Sequence, residues 1–161
     1  MAPRAMHKHP IFRHGLAGFT AIELMVAIAI VAVAAAIALP SYSSYQDRAR
    51  VAQAITDIGA LNAKLRLYMV DNRFPPPSLA AIGESGKRDP WGNPYQYTDL
   101  VNAGIGKARK NKNLVPINSD FDLWSNGKDG QSMLPLTTKA SRDDVILAND
   151  GRFIGLASNY E

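Results

Sequence analysis

One carboxylate stands where a carboxylate is costly. Glu23 lies in the run 19–39, in which Thr20 is the only other polar residue. A charge inside an apolar segment of that length is rare and marks a pairing site by default. Two readings stand: a group awaiting an opposite charge, or a stray glutamate near the interface of a simple anchor. His7, His9 and His14 are close enough in sequence to suggest metal ligands, or they are polar filler. Lys107, Arg109, Lys110 and Lys112 form a basic run that suits an acidic partner or lipid headgroups, or a solvated loop. The missing patterns bound the chemistry further. The chain has no Gly-Lys-Ser/Thr phosphate loop, no His-Glu pair at helical spacing and no nucleophile elbow. It has no cysteine, and no histidine after His14. The sequence therefore reads as a protein that is not an enzyme.

The element that must position Glu23 is a helix. The 21 residues of 19–39 would span ~31 Å at ~1.5 Å per residue, enough to cross the hydrocarbon core of a bilayer. Arg4, Lys8 and Arg13 precede it with no acidic residue among them. Short basic flanks stay in the cytoplasm, so residues after Leu39 are expected outside. An ordinary secretory signal is cut after its apolar core, whereas here the Gly18-Phe19 pair comes before it.

Pro40 falls where the apolar run ends, and Tyr42 and Tyr45 follow at the spacing of headgroup-level aromatics. Val51, Ile55, Ile58, Leu61, Leu65, Tyr68 and Met69 then recur at steps of three and four, which makes one apolar stripe. The spacing predicts one long helix over 19–70, ~78 Å in length. The alternative is an anchor and a separate helix hinged at Pro40. Pro75, Pro76 and Pro77 end the helix. A short turn or helical piece follows over 78–82, and 95–98 alternates like a strand start. Residues 121–125 read as a half-buried strand running into the tight turn 126–130. The Asn149-Asp150-Gly151 turn lies between two apolar runs, a final hairpin or helix-turn-strand. The expected class is α+β: a long N-terminal helix, membrane-spanning in its first half, packed on a small antiparallel sheet. Its organisation is 1–18, then 19–39, then one domain over 40–161, about 120 residues and enough for a modest core.

Charge adds one exclusion. The net charge is +4, but three of the 18 basic residues and none of the 14 acidic ones lie in the first 18 positions. The rest of the chain is near neutral, which gives no reason to invoke nucleic acid. Without cysteine, no disulfide can staple the domain, and a small exported domain of this kind can use a metal instead.

Gly18-Phe19-Thr20-Ala21-Ile22-Glu23-Leu24-Met25 followed by a long apolar helix resembles the leader junction of type IV pilins and type II secretion pseudopilins. The resemblance implies a leader of residues 1–18, cut after Gly18 by a prepilin peptidase that also methylates Phe19. It implies an inner-membrane protein with a cytoplasmic N-terminus and a periplasmic domain. It also implies that Glu23 meets the Phe19 amine of a neighbouring copy during assembly. The segment Asp89-Pro90-Trp91-Gly92-Asn93-Pro94-Tyr95 is similar to that of the major-pseudopilin family, the G subunit of type II secretion. The implied function is a subunit that polymerises into the periplasmic pseudopilus driving type II secretion; the alternative is a major or minor subunit of a type IV pilus. The implied partners are further copies of the chain, minor pseudopilins, the peptidase, and an inner-membrane assembly platform with its ATPase.

The same resemblance implies calcium. In that family the strand-and-turn matching 121–130 opens a calcium loop, and residue by residue the ligands fall on the Asn126 carbonyl and on Asp129, Asp143 and Asp144. Calcium takes six to eight oxygens at ~2.3–2.6 Å, which three carboxylates with carbonyls and water could supply. The spacing is not that of an EF-hand. Residues 131–142 are longer than the family's loop and carry Lys139 and Arg142, and 107–112 resembles an insertion.

Overall fold

The computed structural model describes residues 18–160 of the 161. The expectations that fall on 1–17, including the three histidines and the basic flank, lie outside the described residues. The described chain groups into two compact units that meet between Tyr42 and Ser43.

Helix α1 is assigned continuously as Ala21–Asn72, through Pro40 and within two residues of the expected 19–70 at either end. Thr20 supplies its start. The Glu23 carboxylate accepts the Thr20 backbone N–H at 2.9 Å and the Thr20 hydroxyl at 2.8 Å. The Glu23 N–H donates back to the Thr20 hydroxyl at 3.2 Å. This is a capping box, in which a threonine and a glutamate three residues on satisfy donors that the first turn leaves orphaned. In the first unit the helix is apolar all round, and Ile22, Met25, Ile28, Val31 and Ile37 are all exposed. It is long and apolar enough to cross a membrane.

The second unit is built on the other part of α1, which buries one face. Ala54, Ile58, Leu61 and Leu65 are its innermost residues, with Val51, Ile55 and Met69 at the edges. Burying each large aliphatic side chain is worth about 1.5–3 kcal/mol, so this stripe rather than helix propensity fixes the register of α1 on the sheet. Leu61→Ala would cost about 2–5 kcal/mol.

The sheet has four antiparallel strands in sequence order: β1 (Gln96–Asp99), β2 (Phe121–Ser125), β3 (Val145–Ala148) and β4 (Phe153–Leu156). Tyr97 pairs with Leu123, Trp124 with Ile146, and Leu147 with Ile154. Side chains alternate across a strand, and β3 uses both faces. Val145 and Leu147 join the core under α1, whereas Ile146 and Ala148 join a second cluster with Ile117, Leu136 and Ala157. The strand is therefore buried throughout. The expected α+β architecture is what the chain adopts. The last turn resolves as a hairpin, β3 to β4, through a 3-10 turn at Asn149–Gly151. A short helix α2 (Leu100–Ala103) follows β1, capped by Asp99.

Candidate functional site

Two places carry the expected functional residues, one in each unit. In the first, Gly18 and Phe19 precede the helix and are fully exposed. Among the described residues, a methyl group on Gly18 would meet nothing within 4 Å. Among the described residues, no ion pair is formed by Glu23. Its carboxylate caps the helix through Thr20, which gives the residue a structural task that its position in the apolar run did not reveal.

The second place is the excursion 126–144 between β2 and β3. Its entrance is anchored by the segment that follows α1. Asp89 is buried; its Oδ1 accepts the backbone N–H groups of Trp91 at 3.0 Å and Asn93 at 2.8 Å, which is the local turn that an aspartate before Pro-x-Gly favours. Its other oxygen, Oδ2, accepts the Ser125 hydroxyl at the end of β2. The Ser125 hydroxyl in turn accepts the Gly127 N–H at 3.1 Å, and the Asn93 amide donates to the Gly127 carbonyl at 3.3 Å. The 89–93 turn and the 126–130 turn thus lock each other.

The three expected carboxylate ligands do not converge. At Asn126, whose backbone carbonyl was the expected ligand, the side chain spans the turn: its Oδ1 accepts the Trp124 indole N–H at 2.9 Å and its Nδ2 donates to the Gly130 carbonyl at 3.3 Å. Asp129 is exposed, and its Oδ1 accepts the Gln131 N–H at 2.8 Å. Asp143 folds onto the turn and accepts the Asp129 N–H at 3.0 Å through Oδ2. These two are neighbours. Asp144 is elsewhere: fully buried, it accepts Arg109 Nη2 at 2.6 Å and the Ser132 hydroxyl at 2.6 Å, both through Oδ2. Among the described residues, no three of His, Cys, Asp or Glu are grouped so that they could hold one ion. The donor set also fails on charge, because the Asp144 carboxylate already faces a guanidinium and a divalent ion beside it would meet like charge. The residues present do not fit calcium.

Arg109 is the residue that the sequence hides. Residues 107–112 were expected to be solvated or to face a partner, but Arg109 is 1% exposed. Its backbone N–H donates to Asp122 Oδ2 at 2.6 Å and its carbonyl accepts the Ile117 N–H at 3.1 Å. Its guanidinium lies 4.8 Å from the centre of the Trp124 ring and donates to Ser132 at 2.6 Å through Nη1. Burial works against both charges of the pair. It pushes the Asp144 carboxyl up to about 6, with Arg109 and Ser132 pulling the other way, so the group is still mostly ionised at neutral pH. It also lowers the Arg109 guanidinium, against the pull of Asp144. Nothing in a run of lysines and arginines tells which one will be buried.

Comparison with known proteins bears on both places. The chain is 32% identical over 141 residues to the type II secretion system core protein G of Pseudomonas aeruginosa strain PAO1, covering 74% of this chain and 88% of that one. It is 33% identical over 135 residues to the core protein G of Escherichia coli K12, covering 71% and 83%. A fimbrial protein of Neisseria meningitidis serogroup A is 30% identical over 144 residues, covering 88% and 85%. No family model matches the chain, and no solved structure does. The long helix, the four-stranded sheet and these relatives together define the class: the chain belongs to the type IV pilin-like family, which holds the type II secretion core proteins G and the type IV pilins.

Proposed function

We propose that this chain is a major pseudopilin, which polymerises into the periplasmic pseudopilus of a type II secretion system. The observation that carries the reading is the first unit of α1. It exposes an apolar surface on every side, with one carboxylate near its start. Such a surface is stable only in a bilayer or against like surfaces. The chain waits in the inner membrane with its N-terminus cytoplasmic and its domain periplasmic, and leaves the bilayer when copies pack helix on helix. A prepilin peptidase cuts after Gly18 and methylates Phe19. Glu23 then exchanges part of its Thr20 cap for the Phe19 amine of a neighbouring copy. A buried ion pair adds little net stability, but stranding one charge costs about 3–5 kcal/mol, so Glu23 sets register and order of addition. This reading asks the chain for no catalysis; the work of assembly falls to an inner-membrane platform and its ATPase, and minor pseudopilins share the filament.

The test is complementation. In a strain lacking its own major pseudopilin, the chain should restore secretion and yield filaments whose subunits crosslink. The second reading, a type IV pilus subunit, has the support of the fimbrial relative's 88% coverage of this chain. Restoration of surface pili in a pilin-deficient strain, without restoration of secretion, would select it.

A further inference from the structure

We infer that the Arg109 guanidinium is the built-in cation of the 126–144 excursion, holding it closed on Asp144 where a calcium ion would otherwise have to stand, so that the domain folds without metal. The argument begins with what a loop of this length needs. Ordering its backbone costs conformational entropy, and its apolar side chains return little: Leu136 is buried, whereas Met133 and Leu134 are exposed. Something else must bind the middle of the loop to its end.

The segment 107–112 does so twice. Along the backbone, the Lys110 N–H donates to the Leu134 carbonyl at 2.9 Å, and the Leu136 N–H donates to the Lys110 carbonyl at 2.9 Å. Across the side chains, Arg109 bridges Ser132 in the middle of the loop and Asp144 at its end, each at 2.6 Å. Ser132 closes the triangle by donating its hydroxyl to Asp144, also at 2.6 Å. Ser141 ties the same stretch, donating its hydroxyl to the Met133 carbonyl and accepting the Met133 N–H, both at 2.9 Å. One buried positive charge thus gathers an oxygen from the middle of the loop and a carboxylate from its end, which is the task of a cation that clamps a loop.

The rest of the arrangement is built to keep that charge in place. The ring of Trp124 lies under the guanidinium, where its π face favours a cation. Asp122, held by the Asn118 amide at 2.9 Å, receives the Arg109 backbone N–H. The pair is dry, at 1% and 0% side-chain exposure. Asp143, the nearest acidic residue in sequence, is turned onto Asp129 and leaves Asp144 to Arg109. The segment resembling an insertion and the loop without a metal cluster are then two halves of one change: the first supplies the cation that the second lacks.

The experiment is a thermal melt of the full chain in detergent micelles, followed by circular dichroism, in chelator and in calcium chloride. The expected result is one melting temperature in both. A melting temperature that falls in chelator and returns with calcium chloride overturns the inference. Arg109→Met should lower the melting temperature by roughly 10 °C or more, because it strands the Asp144 charge. Arg109→Met combined with Asp144→Leu should recover most of that loss, since neither charge is then left alone. An Arg109→Met chain that melts with the native one overturns the inference too. Should Arg109→Met fail to fold, the chelator comparison on the native chain still decides. The melt reads folding alone, so its outcome is independent of whether the chain forms filaments.

Discussion

A β-carbon placed on Gly127 would stand 2.3 Å from the carbonyl oxygen of Asp143. The two residues are the two ends of the 126–144 excursion brought into direct contact, and Gly127 also has φ +64°. Both facts demand glycine. Gly127→Ala adds a left-handed alanine, about 1 kcal/mol, to an overpacked contact of about 1–3 kcal/mol. The expected loss is about 2–4 kcal/mol, read as a drop of roughly 10 °C in a thermal melt. Gly86→Ala, with open space around it and no positive φ, is the matched control. If both variants melt alike, the excursion is not seated on Asp143.

Processing is the next expectation. Because no described residue crowds Gly18, Gly18→Ala should fold and insert like the native chain. On the proposed function it should nonetheless stay uncut and unassembled, the demand for glycine being the peptidase's. Intact-mass measurement of the native mature protein should show a methylated Phe19 at its N-terminus. An N-terminus beyond Leu39, or efficient cutting of Gly18→Ala, would refute the junction.

Glu23 caps the helix, and one pair of substitutions separates that task from the proposed role in assembly. Glutamine at the third helical position also serves a capping box, so Glu23→Gln keeps the hydrogen bonds with Thr20 and removes only the charge. Glu23→Ala removes both, at about 1 kcal/mol of helix stability. If charge drives assembly, both variants should insert and be cut yet form few filaments. Filaments from Glu23→Gln equal in number and length to the native ones would leave Glu23 a cap and nothing more.

Tyr95 and Tyr97 give the domain an alkaline limit. The Tyr95 phenol donates to Asp57 Oδ2 at 3.0 Å and the Tyr97 phenol to the Pro76 carbonyl at 2.7 Å. Burial first, then Asp57, pushes the Tyr95 phenol far above its ordinary value; burial first, then Asp99, does the same for Tyr97. The folded state therefore keeps protons that the unfolded chain releases near pH 10. The stability these phenols contribute is fully present below that pH and is lost as pH rises above it. In an alkaline titration of phenolate absorbance, these two of the six tyrosines should stay silent until the domain unfolds. Smooth ionisation of all six in the folded chain would contradict the burial of both rings.

Periodicity carried most of the architecture. Val51 to Met69 at steps of three and four set the buried face of α1, and the proline run at 75–77 placed its end within a few residues. Alternation and turn chemistry located β2 to the residue and marked both strands of the last hairpin. The junction proposed at Gly18 and Phe19 rests on one short segment. These signals are local, and local sequence is sufficient for them. What the tertiary structure alone decided is where charges go. Arg109 lies in a run of cations, and it is buried because Trp124, Ser132 and Asp144, up to 35 residues away, close around it. Asp143 and Asp144 are adjacent in sequence, but the chain leaves a turn for β3 between them, and one meets Asp129 while the other meets Arg109. A ligand set spread over 126–144 depends on that parting, which only the folded chain settles.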